Sequence, residues 1–90
     1  MQLYTFFLDY RGGTYVSQVS APSPALALKV WAETLSKTEI EKLGPKSKSD
    51  LIEKVQLDTP TALEGIKHTW CCSIVLRGHL ALIHFTQTPA

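Results

Sequence analysis

Cys71 and His84 are the two residues of this 90-residue chain whose types and spacing come nearest to a chemical site. A two-residue turn at Arg77-Gly78 would set them directly opposite each other on neighbouring strands, with Cβ atoms about 5 Å apart. A thiol beside an imidazole can act as a nucleophile with its base, or supply half of a zinc site. The pair lacks an orienting carboxylate and two further ligands, so we expect a packed thiol beside a hydrogen-bonded imidazole. We predict no catalytic residue, metal or cofactor, and keep a metal-binding or small-molecule domain, or a minor enzyme, as the alternative.

Tyr10 and Tyr15 are the second candidates, because they flank Gly12-Gly13 in a predicted turn. Paired tyrosines can form a stacking platform for a base or for a side chain of a partner protein. The alternative is that both rings cover one end of the hydrophobic core and extend their hydroxyls into water. The surrounding segment Arg11–Thr14 lacks the glycine spacing of a phosphate-binding loop, so it predicts a hairpin turn.

Composition and charge exclude several classes of function. Nine basic and eight acidic residues give a net charge of +1, and the lysines between positions 42 and 54 alternate with carboxylates. A nucleic-acid-binding protein usually has a basic excess on one face, so we expect no nucleic-acid partner. The chain has no apolar run of membrane-spanning length and begins without the basic segment of a signal peptide. We expect one domain over residues 1–90, no membrane association and a cytoplasmic location.

The longest apolar run, Thr69–Thr86, is interrupted once, by Arg77-Gly78, and predicts a hairpin. Its register gives one apolar face and one mixed face, and a slip of one residue would exchange the two. The apolar face pairs Leu76 with His79, Ile74 with Ala81, Cys72 with Ile83, and Trp70 with Phe85. The mixed face pairs Val75 with Leu80, Ser73 with Leu82, Cys71 with His84, and Thr69 with Thr86.

A second hairpin is predicted from the strand-like runs Gln2–Tyr10 and Thr14–Ser20 around Gly12-Gly13. A helix follows over Pro24–Lys37, because Ser23 is a good N-cap and Pro24 suits the first helical position. The alternation of apolar and polar residues in this hairpin is cleaner than in the C-terminal one, which favours a place nearer the sheet edge. A loop centred on the glycines pairs Tyr10 with Tyr15, Leu8 with Ser17, Phe6 with Val19, and Tyr4 with Ala21.

The middle of the chain contains residues whose pattern fits more than one element. A capping box predicts a short helix over Lys37–Leu43, ended by Gly44-Pro45 and followed by a polar turn. Asp50–Gln56 fits a helical face or a weak strand, and Ser49 as a cap favours the helix. Residues 58–67 form a connector, with Leu63 and Ile66 as its expected anchors to the core.

One family resemblance covers about the first third of the chain. Tyr4–Phe6 and Gly12–Val16, followed by the Ala- and Leu-rich helix, resemble the strand–hairpin–helix opening of HicB-like antitoxins. The Pro-Gly-Cys segment that usually precedes the helix in that family is replaced by Ala21–Pro24, and the Trp70–Thr86 hairpin has no match. The resemblance therefore implies no site residue and no activity for this chain.

The element order β-β-α-(α)-(α)-β-β predicts an α+β fold in which two antiparallel hairpins carry one main helix on one sheet face. The strand order stays open between a single four-stranded sheet and a sheet completed in a dimer. An apolar outer face requires a cover, so we predict a non-catalytic interaction module that forms a homodimer through a sheet face or edge. An antitoxin or immunity-type inhibitor of a partner protein is the alternative. The residues predicted to bind the partner are Val75, Leu80, Leu82, Tyr10, Tyr15, Cys71 and His84.

Overall fold

The computed structural model describes residues 1–35, 44–57, 60–63 and 65–89, which form one antiparallel sheet and two helices. The strands follow the order β2-β1-β5-β4-β3 across the sheet. The predicted α+β fold is confirmed, with a short extra strand and with two helices of similar length instead of one main helix. The strands are β1 (Gln2–Tyr10), β2 (Gly13–Ala21), β3 (Thr61–Ala62), β4 (Thr69–Leu76) and β5 (His79–Thr88), and the helices are α1 (Pro24–Thr34) and α2 (Pro45–Leu57).

The β4–β5 hairpin has the register that the sequence predicts. Arg77 and Gly78 form the two-residue turn with φ angles of 50° and 84°. Two positive φ angles give a turn whose twist matches that of the flanking strands. Every predicted pair is present, from Leu76 with His79 at the turn to Thr69 with Thr86 at the open end.

The predicted register of the β1–β2 hairpin is wrong by two residues. The turn is Arg11-Gly12, with φ angles of 49° and 86°, and Tyr10 pairs with Gly13 instead of Tyr15. A two-residue turn of this type matches strand twist better than a four-residue loop, and it adds one more residue pair to the ladder. Because side chains alternate with a period of two, the shift leaves every paired residue of the two strands on its predicted face, and it moves Arg11 into the turn.

Helix α1 begins as predicted and ends earlier. The Ser23 side chain accepts a hydrogen bond from the backbone N–H of Leu26 at 3.3 Å, and Pro24 starts the helix. The helix ends at Thr34 rather than at Lys37, because Leu35 takes an extended backbone and is buried in the core. The predicted short helix over residues 37–43 lies outside the described residues.

Helix α2 begins where the sequence predicts a helix end. Pro45 is its first residue, and the stretch to Ser49, predicted to be a polar turn with a cap, is helical. Proline is tolerated there because the first helical N–H has no intrahelical partner. The helical choice for Asp50–Gln56 is confirmed, and Leu51 and Val55, four residues apart, are both buried.

The core contains an aromatic stack that runs from α1 across the sheet. Trp31 stacks on Phe6 at 5.1 Å, Phe6 on Phe85 at 4.4 Å, and Phe85 on Trp70 at 5.4 Å between ring centroids. The indole N–H of Trp31 donates to the Ser17 hydroxyl at 3.1 Å, so the polar end of the ring has a partner. The stack joins α1 to the three strands β1, β5 and β4, and the Trp31–Ser17 hydrogen bond adds β2, so both hairpins are fixed beneath α1.

The connector before β4 is held by its backbone. The backbone N–H of Leu63 donates to the carbonyl of Thr69 at 3.0 Å, and β3 pairs with β4 just beyond. Leu63 is half-buried, but Ile66 is 58% exposed, so the prediction that Ile66 anchors the connector in the core is wrong. Backbone hydrogen bonds, rather than burial of the Ile66 side chain, therefore position this segment.

Candidate interaction face

The sheet has an inner face, which packs on the helices, and an outer face, on the opposite side. Both described helices contribute buried residues to the inner-face core. The outer face consists of the alternate residues of the four long strands. They are Leu3, Thr5, Phe7 and Asp9 of β1, Thr14, Val16, Gln18 and Ser20 of β2, Thr69, Cys71, Ser73 and Val75 of β4, and Leu80, Leu82, His84, Thr86 and Thr88 of β5.

Apolar side chains on this face are exposed. Val75 and Leu80 pair directly across the β4–β5 ladder and are 52% and 53% exposed, and Leu82 beside them is 37% exposed. Phe7 and Val16 pair across β1–β2 and are 40% and 60% exposed. Two apolar groups, one on each hairpin, therefore share one surface.

The outer face also carries little charge. Asp9 is the one residue of the set with a formal charge at neutral pH, and its carboxylate accepts a hydrogen bond from the Thr14 hydroxyl at 2.6 Å. The other charged residues of the described chain lie in turns, helices and connectors. Depletion of charge together with exposed aliphatic and aromatic residues is the composition found at the centres of protein interfaces.

Cys71 and His84 meet as the hairpin register predicts, near the middle of the outer face. Both are half-buried, and the row across the sheet continues from His84 to Phe7 of β1. The pair that closes the turn, Leu76 and His79, exchanges backbone hydrogen bonds, and bonded and non-bonded pairs alternate from there. Cys71 and His84 are therefore a non-bonded pair, the type in which side chains approach most closely. The described residues contain no group of three or more metal-ligating side chains. Cys72, the nearest candidate in sequence, is buried on the inner face.

The two tyrosines lie apart from the other candidates, on the inner face. Tyr10 is buried, with its ring edge to that of His79 at a centroid distance of 6.5 Å. Tyr15 is half-buried and pairs with Leu8, so the two tyrosines do not oppose each other across the turn. The structure thus separates the predicted residues into five on the outer face and two on the opposite side.

A cleft of about 330 Å³ opens at the turn end of the outer face. Its walls are the first hairpin turn, with Asp9 and Thr14, and the side chains of Leu80 and Leu82 from β5. Arg11 of the turn also lines the cleft, so Asp9 and Arg11 give its lining one charge of each sign. Leu80 and Leu82 supply its apolar part, which continues the exposed apolar surface of β5.

Phe7 and Val16 are the outer-face residues that the sequence predictions missed. Both stand at outward positions of the β1–β2 alternation, and that was the available signal. Their closeness to His84 depends on the pairing of β1 with β5, which joins residues more than 70 positions apart. No local pattern predicts such a pairing.

No protein-family model, curated protein or solved structure matches the chain. The resemblance of the first third to HicB-like antitoxins therefore depends on its hairpin and helix alone. Neither of the described helices has the length and apolar character needed to cross a bilayer.

Proposed function

We propose that this protein is a non-catalytic interaction module that self-associates through the outer face of its sheet. The observation that carries the proposal is the combination of exposed Val75, Leu80, Leu82 and Phe7 with a nearly uncharged surround. Monomeric soluble proteins seldom expose a contiguous apolar surface without using it. A cover over this face would remove those side chains from water.

The face is large enough for a reversible dimer. Four strands spaced about 4.8 Å apart, each with about eight residues at about 3.4 Å per residue, cover about 500 Å². Two such faces in contact would bury about 1,000 Å² in all, the lower end of specific protein interfaces. The association is therefore expected to be concentration-dependent over the micromolar range.

A second copy of the chain suits this face better than a charged partner. In a two-fold dimer the same patch meets itself, so a charge near the axis would face its own equivalent. With Asp9 as its one formal charge, the face avoids that repulsion, and it offers no pattern that would select a charged protein. Two sheets can pack in this way about 10 Å apart, with strands inclined by about 30°.

The test compares Leu80→Lys with Leu26→Lys. Leu80 lies on the outer face, whereas Leu26 lies on α1 and is 45% exposed, so both changes place a lysine at a half-exposed leucine. We expect Leu80→Lys to weaken self-association at least about tenfold, because the lysines would meet across the interface. Leu26→Lys should associate as the wild type does. Sedimentation velocity over a concentration series measures this, with circular dichroism as the check on folding.

Two results would count against this proposal. A wild-type protein that is monomeric at high micromolar concentration would contradict self-association. Equal association of Leu80→Lys and wild type would show that the interface lies elsewhere.

The second candidate function is a reactive or metal-binding pair, and the direct cross-strand placement of Cys71 and His84 favours it. Alkylation at neutral pH separates the possibilities, because a reactive thiolate is modified quickly and a packed thiol slowly. The Cys71→Ser variant identifies the contribution of Cys72, and elemental analysis of the purified protein tests for zinc. Slow alkylation of Cys71 and less than stoichiometric zinc would reject this candidate.

A further inference from the structure

Strand β2 forms one edge of the sheet, and no described strand pairs with its outer side. It runs for nine residues, Gly13–Ala21, and contains neither a charged residue nor a proline. Edge strands normally carry such residues, or are short, because an unpaired ladder is a template for another chain. This strand has none of these protections.

The opposite edge is protected. There β3 covers β4 at Cys71 and Trp70, and α2 packs on β4 beyond it. The ammonium of Lys54 donates a hydrogen bond to the carbonyl of Val75, which points away from β5 toward this edge. A lysine at a strand edge is a common protection against pairing. Among the described strands, one edge of the sheet is therefore covered and the other has no strand paired with it.

The turn geometry decides which groups β2 presents. Since Tyr10 and Gly13 flank a two-residue turn, they exchange ladder hydrogen bonds, and the bonded pairs then alternate along the strand. The odd-numbered residues of β2 therefore bond to β1. The residues that point N–H and C=O away from the sheet are Thr14, Val16, Gln18 and Ser20.

We propose that β2 pairs antiparallel with β2 of a second copy, about a two-fold axis at Ser17, to give one continuous ten-stranded sheet. In this register Thr14 pairs with the partner's Ser20, and Val16 with the partner's Gln18. In this register the outward backbone N–H and C=O groups of all four residues form hydrogen bonds, two in each pair. On the inner face it places Tyr15 beside the partner's Val19, an aromatic and a β-branched residue.

A second copy fits this edge better than an extended peptide from another protein. It supplies a strand of the same length, and the symmetric register leaves no outward group of the four residues unpaired. The axis stands perpendicular to the sheet, so the two outer faces lie side by side and form one surface. The inference rests on the proposed self-association but uses a different surface. Together the two interfaces give a tetramer, in which two edge-paired dimers meet face to face.

The experiment measures association through the β2 edge alone. It uses the Leu80→Lys variant as its starting protein, because this change weakens contact through the outer face. Gln18→Pro removes the outward N–H without touching a ladder bond to β1. Gln18→Ala is the matched control, because both changes lose the hydrogen bond from the Gln18 amide to the Thr5 hydroxyl at 3.0 Å. By sedimentation velocity, Leu80→Lys alone and with Gln18→Ala should be dimers. Adding Gln18→Pro should weaken that dimer about 10-fold to 30-fold, since each copy loses one donor.

Amide hydrogen exchange of the wild type gives a second measurement that needs no folded proline variant. Paired N–H groups of Val16 and Gln18 should be protected more strongly as protein concentration rises. Fast exchange at every concentration, an unaffected Gln18→Pro dimer, or a monomeric Leu80→Lys protein would each overturn the edge pairing. A Leu80→Lys variant that associates as the wild type does, beside a weakened Gln18→Pro variant, would instead reject the face and retain the edge.

Discussion

The two hairpins share one turn and differ in where they stand in the sheet. Each turns on Arg-Gly, with φ angles of 49° and 86° in Arg11-Gly12 and of 50° and 84° in Arg77-Gly78. The β4–β5 hairpin has its outer edge covered by β3 and Lys54, whereas the β1–β2 hairpin leaves β2 uncovered by any described strand. A turn thus fixes the pairing of its own two strands and nothing beyond them.

The position of each hairpin follows from what it buries. Strand β5 carries Ile83 and Phe85, both almost completely buried, and it pairs with β1 on its other side. Strand β2 buries only Val19 and Ala21 at its far end. A central strand buries more apolar surface than an edge strand, and this burial stabilises the fold. The aromatic stack therefore favours a central position for β5 and an edge position for β2.

The largest expected difference between the hairpins is in core truncations. Phe85→Ala should lower the free energy of unfolding by about 3–5 kcal/mol, because it removes the middle of the aromatic stack. Val19→Ala on β2 should cost about 2 kcal/mol, since it deletes two methylene equivalents from a less enclosed site. Urea unfolding at one protein concentration measures both, and equal losses would contradict a core centred on β5.

The shared turn should respond equally in both hairpins. Gly12→Ala and Gly78→Ala each place a side chain at a positive φ, which costs about 1–2 kcal/mol for an L-residue. Neither site has an atom within 4 Å of the added Cβ, so the loss measures backbone strain alone. Gly65→Ala, at φ 79° outside the hairpins, is the reference. A costly Gly78→Ala beside a neutral Gly12→Ala would show that the two turns differ.

The smallest expected effect concerns Tyr4, where the first hairpin touches the second. Its ring meets Trp70 and Phe85 edge-on, at 5.9 and 6.1 Å, and burial raises the pKa of its phenol above 10.0. Because the pKa of Tyr4 is higher in the folded than in the unfolded protein, the contribution of Tyr4 to stability is complete below pH 10. This contribution is lost as the pH rises through the pKa of the folded state. Tyr4→Phe should unfold less readily in alkali. Phenolate absorbance during a pH titration tests this, and a Tyr4 that titrates as a free phenol would contradict it.

Local sequence patterns predicted those structural features that depend only on neighbouring residues. Ser23 and Pro24 fixed the start of α1, because a cap and a preset φ need only neighbouring residues. The same rules failed at Pro45, which can end one helix or begin the next; packing of Leu51 and Val55 in the core favoured the second. The exposure of Val75, Leu80 and Leu82 on one face follows from the hairpin register, and their binding of a partner stays a prediction.

The sequence by itself determined the two hairpins, the register of β4–β5 and the period-two faces of the strands. These depend on backbone sterics and side-chain alternation within a few residues. Only the tertiary structure decided that β1 pairs with β5, that Phe7 lies beside His84, and that no described strand pairs with the outer side of β2. Those outcomes depend on contacts between segments far apart in the chain, where many arrangements compete and the burial of the aromatic stack selects one.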